Sequence, residues 1–259
     1  MKKKSQETLK SVEKALQILE AFTIGHSELS VSELENILGL PRVSIYRFLR
    51  VLLKRGFIMQ NPQTRKYRLG IKVFELGSLV LKDMELRRVA FPLIEELSRK
   101  SGETVHLGVL DGHEAVSVEG AESDGYTLRI SLPIGKRVYL HSTGIGKAIL
   151  AFLEDHEIDE IIDEKGLPRF MPNTITDPKI LKKEIQIIRE RGYALDDEEN
   201  EPGVCCVAAP ILDSSRHVIA SISISGPSVR ITGERIPVLA DVVIETCRQI
   251  SQALGYFPA

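Results

Sequence analysis

One stretch limits the possible fold more than any other: residues 31–53, VSELENILGLPRVSIYRFLRVLL. Val31, Leu34, Ile37 and Leu38 recur at helical spacing, and Ser30 or Ser32 can cap the start. Gly39 ends that helix. Leu40-Pro41 opens a second one, because proline suits a first turn where its missing N–H has no partner. In the second helix Val43, Ile45, Phe48, Leu49 and Leu52 form an apolar stripe, leaving Arg42, Ser44, Tyr46, Arg47 and Arg50 on other faces. Two short helices around a glycine turn, the second carrying arginines, a hydroxyl and a tyrosine outside its stripe, make a helix-turn-helix. Its second helix would enter the DNA major groove with its N-terminal residues at the base edges. Glu35 departs from the pattern, since a small residue normally sits close to the turn there, but it can point outward. An ordinary helical hairpin in a core is the competing reading.

The formal net charge of the 259 residues is −2, which alone argues against a simple nucleic-acid binder. The distribution of that charge argues the other way. Residues 1–75 hold 14 Lys+Arg and 7 Asp+Glu, a net of +7, and the remainder holds 20 and 29, a net of −9. A basic first third joined to an acidic remainder predicts a DNA-binding module attached to something that is not one. Three cysteines, two of them adjacent at Cys205 and Cys206, make no disulfide framework. No Cys/His cluster has zinc spacing, and no metal or cofactor is expected. Lys2 to Lys4 is not followed by the apolar run of a signal peptide, and no segment approaches a membrane-spanning length. The expectation is a cytoplasmic protein with no membrane partner.

Residues 2–7 are polar and predict a frayed start; Leu9, Val12, Leu16, Leu19 and Phe22 then mark a first helix ending near Gly25. After the helix-turn-helix, Phe57-Ile58-Met59 and Tyr67-Arg68-Leu69 flank the turn Asn61-Pro62-Gln63-Thr64, which reads as a β-hairpin. In that position the hairpin reads as a wing, with Arg65 and Lys66 near its tip where they could reach phosphate or the minor groove; a solvated basic turn is the competing reading. Residues 71–100 read as helix, broken by Pro92 into a linker over 71–90 and a second helix from about Phe91. The linker has more apolar positions than one narrow stripe needs, so it packs against its copy in a dimer or is buried by its own C-terminal domain. Beyond Gly102 the period changes to that of strands. Strands are expected at 104–110, 115–119, 128–132, 137–140, 193–196, 204–212 and 217–225, and helices at 144–153, 155–163, 178–191 and 236–254. Hairpins mixed with helices predict an α+β domain with a largely antiparallel sheet. The expected domains are 1–70, the linker 71–90, and 91–259.

The chain resembles the IclR family of bacterial transcriptional regulators over essentially its whole length. The matching stretches are Ser11-Val12-Glu13-Lys14-Ala15-Leu16-Gln17-Ile18-Leu19-Glu20, Gly39-Leu40-Pro41 and Tyr67-Arg68-Leu69-Gly70 in the first third. Later come Ser101-Gly102-Glu103-Thr104-Val105-His106-Leu107, Leu140-His141-Ser142-Thr143-Gly144-Ile145-Gly146-Lys147-Ala148, Arg191-Gly192-Tyr193, Asp197-Glu198-Glu199 and Ile222-Ser223-Ile224-Ser225-Gly226-Pro227. The resemblance implies a winged helix-turn-helix, a linker helix and a GAF-like effector-binding domain. It also implies homodimers, often paired into tetramers, that bind a double-stranded DNA operator and respond to small organic acids. A repressor is the first expectation and an activator of the same family the alternative.

An effector site can also be argued from the residues. Gly144-Ile145-Gly146-Lys147 leads into a helix whose first N–H groups could accept a carboxylate. It is no P-loop, which would need glycine in place of His141 and Ser or Thr in place of Ala148. A turn that merely starts a helix fits equally well. If 213–216 is the hairpin loop, Leu212 faces His217, Cys206 faces Ser223 and Val204 faces Ser225, and these last four share one face of the sheet. Small residues packed under a helix would look the same; the resemblance favours a pocket, and it adds Ile130, Gly144, Ile145 and Asp196. Asp196 could receive ligand hydroxyl groups by hydrogen bonding. Cys206 with His141 could be drawn as nucleophile and base, but nothing in the sequence orients them and no G-x-S-x-G occurs, so no enzyme is expected. A small-molecule-sensing protein-interaction module is the remaining class, and the basic first third speaks against it.

Overall fold

The computed structural model describes residues 2–256 apart from Ile24 and Asp124, without the side chains of residues 2–9, 82 and 83. The expected stripe position Leu9 therefore lies outside the described side chains. The chain divides into two compact units, Met1–Asp83 and Met84–Ala259.

In the first unit, α1 (Lys2–Glu20) already includes the polar start expected to fray. Its buried contacts come from Ile18, with Phe22 just beyond its end, whereas Val12 and Leu16 are exposed. Helices α2 (Val31–Leu38) and α3 (Arg42–Lys54) follow as expected. Ser30 caps α2 in a capping box: its hydroxyl accepts the Glu33 N–H, and the Glu33 carboxylate accepts the Ser30 N–H at 2.6 Å. Gly39 closes α2 at φ 62°, donating its N–H to Glu35 O, and Glu35 itself is half-exposed. Pro41 is the residue just before α3 rather than within its first turn. Strands β1 (Ile58–Gln60) and β2 (Tyr67–Leu69) pair antiparallel, and Leu29 bridges to Tyr67 on the other edge. At the base of this hairpin only glycine fits at position 70, because a Cβ there would stand 2.2 Å from the Gly56 carbonyl oxygen. Ile18, Leu29, Leu34, Ile45, Leu49 and Ile58 fill the core, and α4 (Ile71–Asp83) ends the unit.

The helix break expected at Pro92 lies at Met84 instead. Met84 is extended, and α5 (Glu85–Ser101) runs straight through Pro92. Phe91 and Pro92 are on the exposed side of α5, so the carbonyl that loses its proline partner can turn to water. The predicted linker over 71–90 is thus α4 plus the first residues of a helix that belongs to the second unit.

The second unit is one antiparallel sheet of β3 (Thr104–Asp111), β4 (Glu114–Ala121), β5 (Arg137–Val138), β6 (Ala194–Asp197), β7 (Val204–Leu212) and β8 (Val218–Pro227). Its strand order is β5-β4-β3-β8-β7-β6. Alternation along the strands sends Val105, Leu107, Val207, Ile222 and Ile224 to the face covered by α5 and α9 (Ile236–Ala253). The other face carries Ala194, Ala208 and a second core with α6 (Gly144–Leu150), α7 (Asp155–Lys165) and α8 (Pro178–Arg191). Two expectations fail here. Residues 128–132 form no strand; the Leu132 N–H instead reaches a side chain, His106. The β7–β8 register is also shifted by two, so that Cys206 faces Ser225 and Val204 faces Pro227. One residue of the shift comes from a tighter loop, since Asp213 N–H bonds His217 O and Arg216 takes φ 67°. The other comes from a bulge beside Ile211 and Leu212. Two single steps restore the alternation, so the four residues remain on one face.

A buried charge cluster ties the sheet to the chain after it. Glu103, 1% exposed, receives Arg230 through Nε at 2.8 Å and Nη2 at 2.6 Å, and Arg235 at 2.8 Å. Arg230 also stacks over Tyr126 and donates to Leu128 O, fixing the segment that leads to Ile130.

Candidate functional site

The first candidate surface is the outer face of α3. Ile45, Leu49 and Leu52 are 0%, 1% and 7% exposed and point into the core. Arg42, Tyr46, Arg47 and Arg50 are exposed, and Ser44 is half-buried. Val43, read from sequence as part of the apolar stripe, is 74% exposed. The reason is geometric: residues two apart on a helix lie nearly opposite, so Val43 and Ile45 cannot share a face. At the wing, Asn61 Oδ1 accepts N–H bonds from Gln63 and Thr64, and Arg65 takes a left-handed conformation with its side chain exposed. Lys66 is committed differently, to Glu33 at 3.0 Å, joining the wing to the cap of α2. The Ser30 hydrogen bonds, with a smaller contribution from Lys66, hold the Glu33 carboxyl down at about 2. Arg68 is a further exposed cation that the sequence reading did not single out. Its signal was the strand alternation beside Tyr67, which is buried.

The second candidate is a cavity of about 70 Å³ on the α6 side of the large sheet. Ile130, Asp196, Val204, Cys206, Ser223 and Ser225 line it. Gly144 and Ile145 are not among the lining residues. Gly144 presses on the sheet floor, where an added Cβ would lie 3.1 Å from that of Cys206, and the Ile145 carbonyl accepts the Ser221 hydroxyl at 2.9 Å. Thr143 takes their place in the wall; it caps α6 by accepting the Gly146 N–H at 3.1 Å. Lys147 does not reach the cavity. It is 1% exposed and forms a buried ion pair with Glu199, so no lysine or arginine is among the residues lining the site.

The sequence reading missed His106, Ser131, Leu132, Val138, Asn200 and Glu201, which complete the lining with Thr143. His106 is the most informative. Its Nε2 lies 3.0 Å from Leu132 N, and a backbone N–H can only donate, so Nε2 is unprotonated. The proton of the neutral ring is then on Nδ1, 3.3 Å from Ser225 Oγ, which lies 3.1 Å from Ser223 Oγ. Burial pushes the His106 pKa down to about 4, in keeping with a neutral ring. Asp196 goes the other way: burial raises it to about 7, against the opposing pull of the Glu199 N–H, which Oδ1 accepts at 2.9 Å. Burial holds the Cys206 thiol well above its ordinary value, so it carries no nucleophilic thiolate. His141 is not its partner: it bonds Pro168 O at 3.0 Å and packs against Tyr139 and Phe170.

One unit thus presents an exposed face of arginines on α3, and the other encloses a small cavity lined by both polar and apolar side chains. Residues 11–62 match the family model for the IclR helix-turn-helix domain, and residues 78–252 match that for the bacterial transcriptional regulator IclR C-terminal domain. This chain belongs to the IclR family of transcriptional regulators. It is 37% identical over 248 residues to the HTH-type transcriptional regulator XynR of Escherichia coli K12, covering 96% of this chain and 98% of XynR. The transcriptional repressor IclR of the same organism is 33% identical, over 95% of this chain and 90% of its own. The crystal structure of Thermotoga maritima IclR superposes with a TM-score of 0.77 at 36% identity, covering 96% of this chain and all of that one. These IclR-family relatives are DNA-binding transcription regulators rather than enzymes. No helix among the described residues is long and apolar enough to cross a membrane.

Proposed function

We propose that this IclR-family chain is a sequence-specific repressor, acting as a homodimer or as paired dimers, whose operator binding is controlled by a small carboxylic acid in the second unit. The observation that carries the reading is the polar cavity floor. Asp196, Cys206, Ser223 and Ser225 share a sheet face that could have been wholly apolar, and a neutral His106 orders the hydroxyls. With no lining lysine or arginine, the acid would be held by N–H and O–H donors, and its hydroxyl groups would donate to Asp196. In the first unit, Arg42, Ser44, Tyr46, Arg47 and Arg50 read bases or phosphates from α3, while Arg65 and Lys66 serve the wing. Dimerisation is supported by apolar side chains left exposed on α1 and α4: Val12, Leu16, Ile71, Phe74, Leu79 and Val80. Repression is supported by relatives such as the HTH-type transcriptional repressor AllR of Escherichia coli K12, 36% identical over 97% of this chain.

A thermal-shift screen of small carboxylic and hydroxycarboxylic acids tests the cavity. A true effector at 100 times its dissociation constant stabilises the native state by about 2.7 kcal/mol. A screen in which no acid shifts unfolding argues against the effector class, whereas operator binding with no salt dependence argues against the DNA surface.

A further inference from the structure

We propose that Val43 is a base-reading residue of this regulator, making apolar contact with the 5-methyl group of a thymine in the major groove. The inference rests on the DNA-binding role of α3 and adds a specificity determinant to it. Val43 is the most exposed large apolar side chain among the described residues of the first unit. A solitary exposed valine is ordinary, so its surroundings decide the matter. At 100° per residue, Val43, Arg47, Arg50 and Lys54 fall within about 40° of one line along the helix. All four are exposed, and they lie opposite the buried line of Ile45, Leu49 and Leu52. Val43 is therefore the apolar member of a cationic stripe, at its N-terminal end. The N-terminal part of a recognition helix is the part that meets base edges, whereas phosphates reward charge.

Of the groups displayed in the major groove, the thymine methyl is the one that an aliphatic side chain can recognise. The hydrogen-bonding edges of guanine, adenine and cytosine offer valine nothing. Arg47, one turn further on, is placed to donate to the edge of a neighbouring base. A β-branched residue also costs slightly in helix propensity at an exposed site where alanine would do better, so its presence is not explained by the stability of α3.

The test uses the full-length chain and a duplex that it enriches from a random-sequence pool. Each dT of that duplex is replaced in turn by dU, which differs only in lacking the methyl. Wild type should lose about fourfold in affinity at one symmetric thymine position per half-site, as burying a single methyl implies. Val43→Ala should bind the dT duplex about fourfold more weakly and no longer distinguish dT from dU at that position. Val43→Thr, which keeps one branch methyl, should retain part of the discrimination. Val43 is 74% exposed, and matching unfolding curves for the variants and wild type would show that folding is unaffected. If Val43→Ala remains as sensitive to every dU as wild type, the inference is wrong. If no thymine methyl matters to wild type while Arg47→Ala still changes the enriched sequence, Val43 is not a base reader but α3 is still the reading helix. Failure to enrich any duplex would overturn both.

Discussion

Replacing Asp196 by Asn should make the protein more stable at alkaline pH and leave it nearly unchanged in acid. Asp196 is 3% exposed, and burial lifts its pKa from 3.8 to about 7. Between those values the native state holds a proton that the unfolded chain has released. Stability from this group is therefore fully present below pH about 4 and is lost as pH rises through about 7. A separation of about 3 pK units at 1.36 kcal/mol each amounts to about 4 kcal/mol once the carboxylate is fully ionised. Asparagine keeps an oxygen for the Glu199 N–H and removes the buried charge. Urea denaturation of both proteins at pH 4.5 and pH 8.5 isolates the effect, because Glu199, Lys147, Asp197, Glu201 and His106 are common to both. The expected difference is small at pH 4.5 and grows to a few kcal/mol in favour of Asp196→Asn at pH 8.5. Equal stability at both pH values would refute the reasoning, and would mean that water or Lys147 keeps Asp196 ionised at little cost.

Arg47→Ala should relax base preference at one position of each half-site by about 1–3 kcal/mol, read by binding to single-base operator variants. Arg65→Ala should weaken binding to all sequences alike and reduce the salt slope by about one, whereas Lys66→Ala should change it less because Lys66 already pairs with Glu33. Glu103→Gln should destabilise the second unit by about 1–3 kcal/mol in denaturant titrations, since a neutral amide replaces the buried carboxylate to which two partly exposed arginines donate.

Regular elements were legible in the sequence where a strong period met a clear stop. The bounds expected for α8 and β7, 178–191 and 204–212, are those found, because Asp177 and Gly192 cap the one and a turn follows the other. The helix break was misplaced because proline is a loud signal, while Met84 in an extended conformation leaves no mark in composition. Val43 joins the apolar stripe by residue type alone, but its helical phase puts it on the opposite, exposed side. The cavity floor was half visible: side-chain parity along β7 and β8 survived a register error, since the error was even. His106 was not visible at all. Its role depends on β3 lying beside β8 and on residue 132 returning across the sheet, contacts that no local pattern encodes. The burial of Lys147 is equally non-local, because its partner Glu199 is 52 residues away.

Operator affinity with and without an effector acid tests most directly whether a ligand in the second unit controls DNA binding by the first. The comparison is between wild type and Ser223→Ala, whose hydroxyl lines the cavity. The account predicts that the effector shifts wild-type operator affinity by about 5–150-fold, the usual range of coupling between sites. Ser223→Ala should lose most of that response while its effector-free affinity stays within about twofold of wild type, because coupling requires differential ligand contacts. An unchanged response in Ser223→Ala would contradict the account by placing the controlling site elsewhere. Loss of operator affinity without ligand would contradict it too, by making Ser223 a support of the fold rather than a part of the switch.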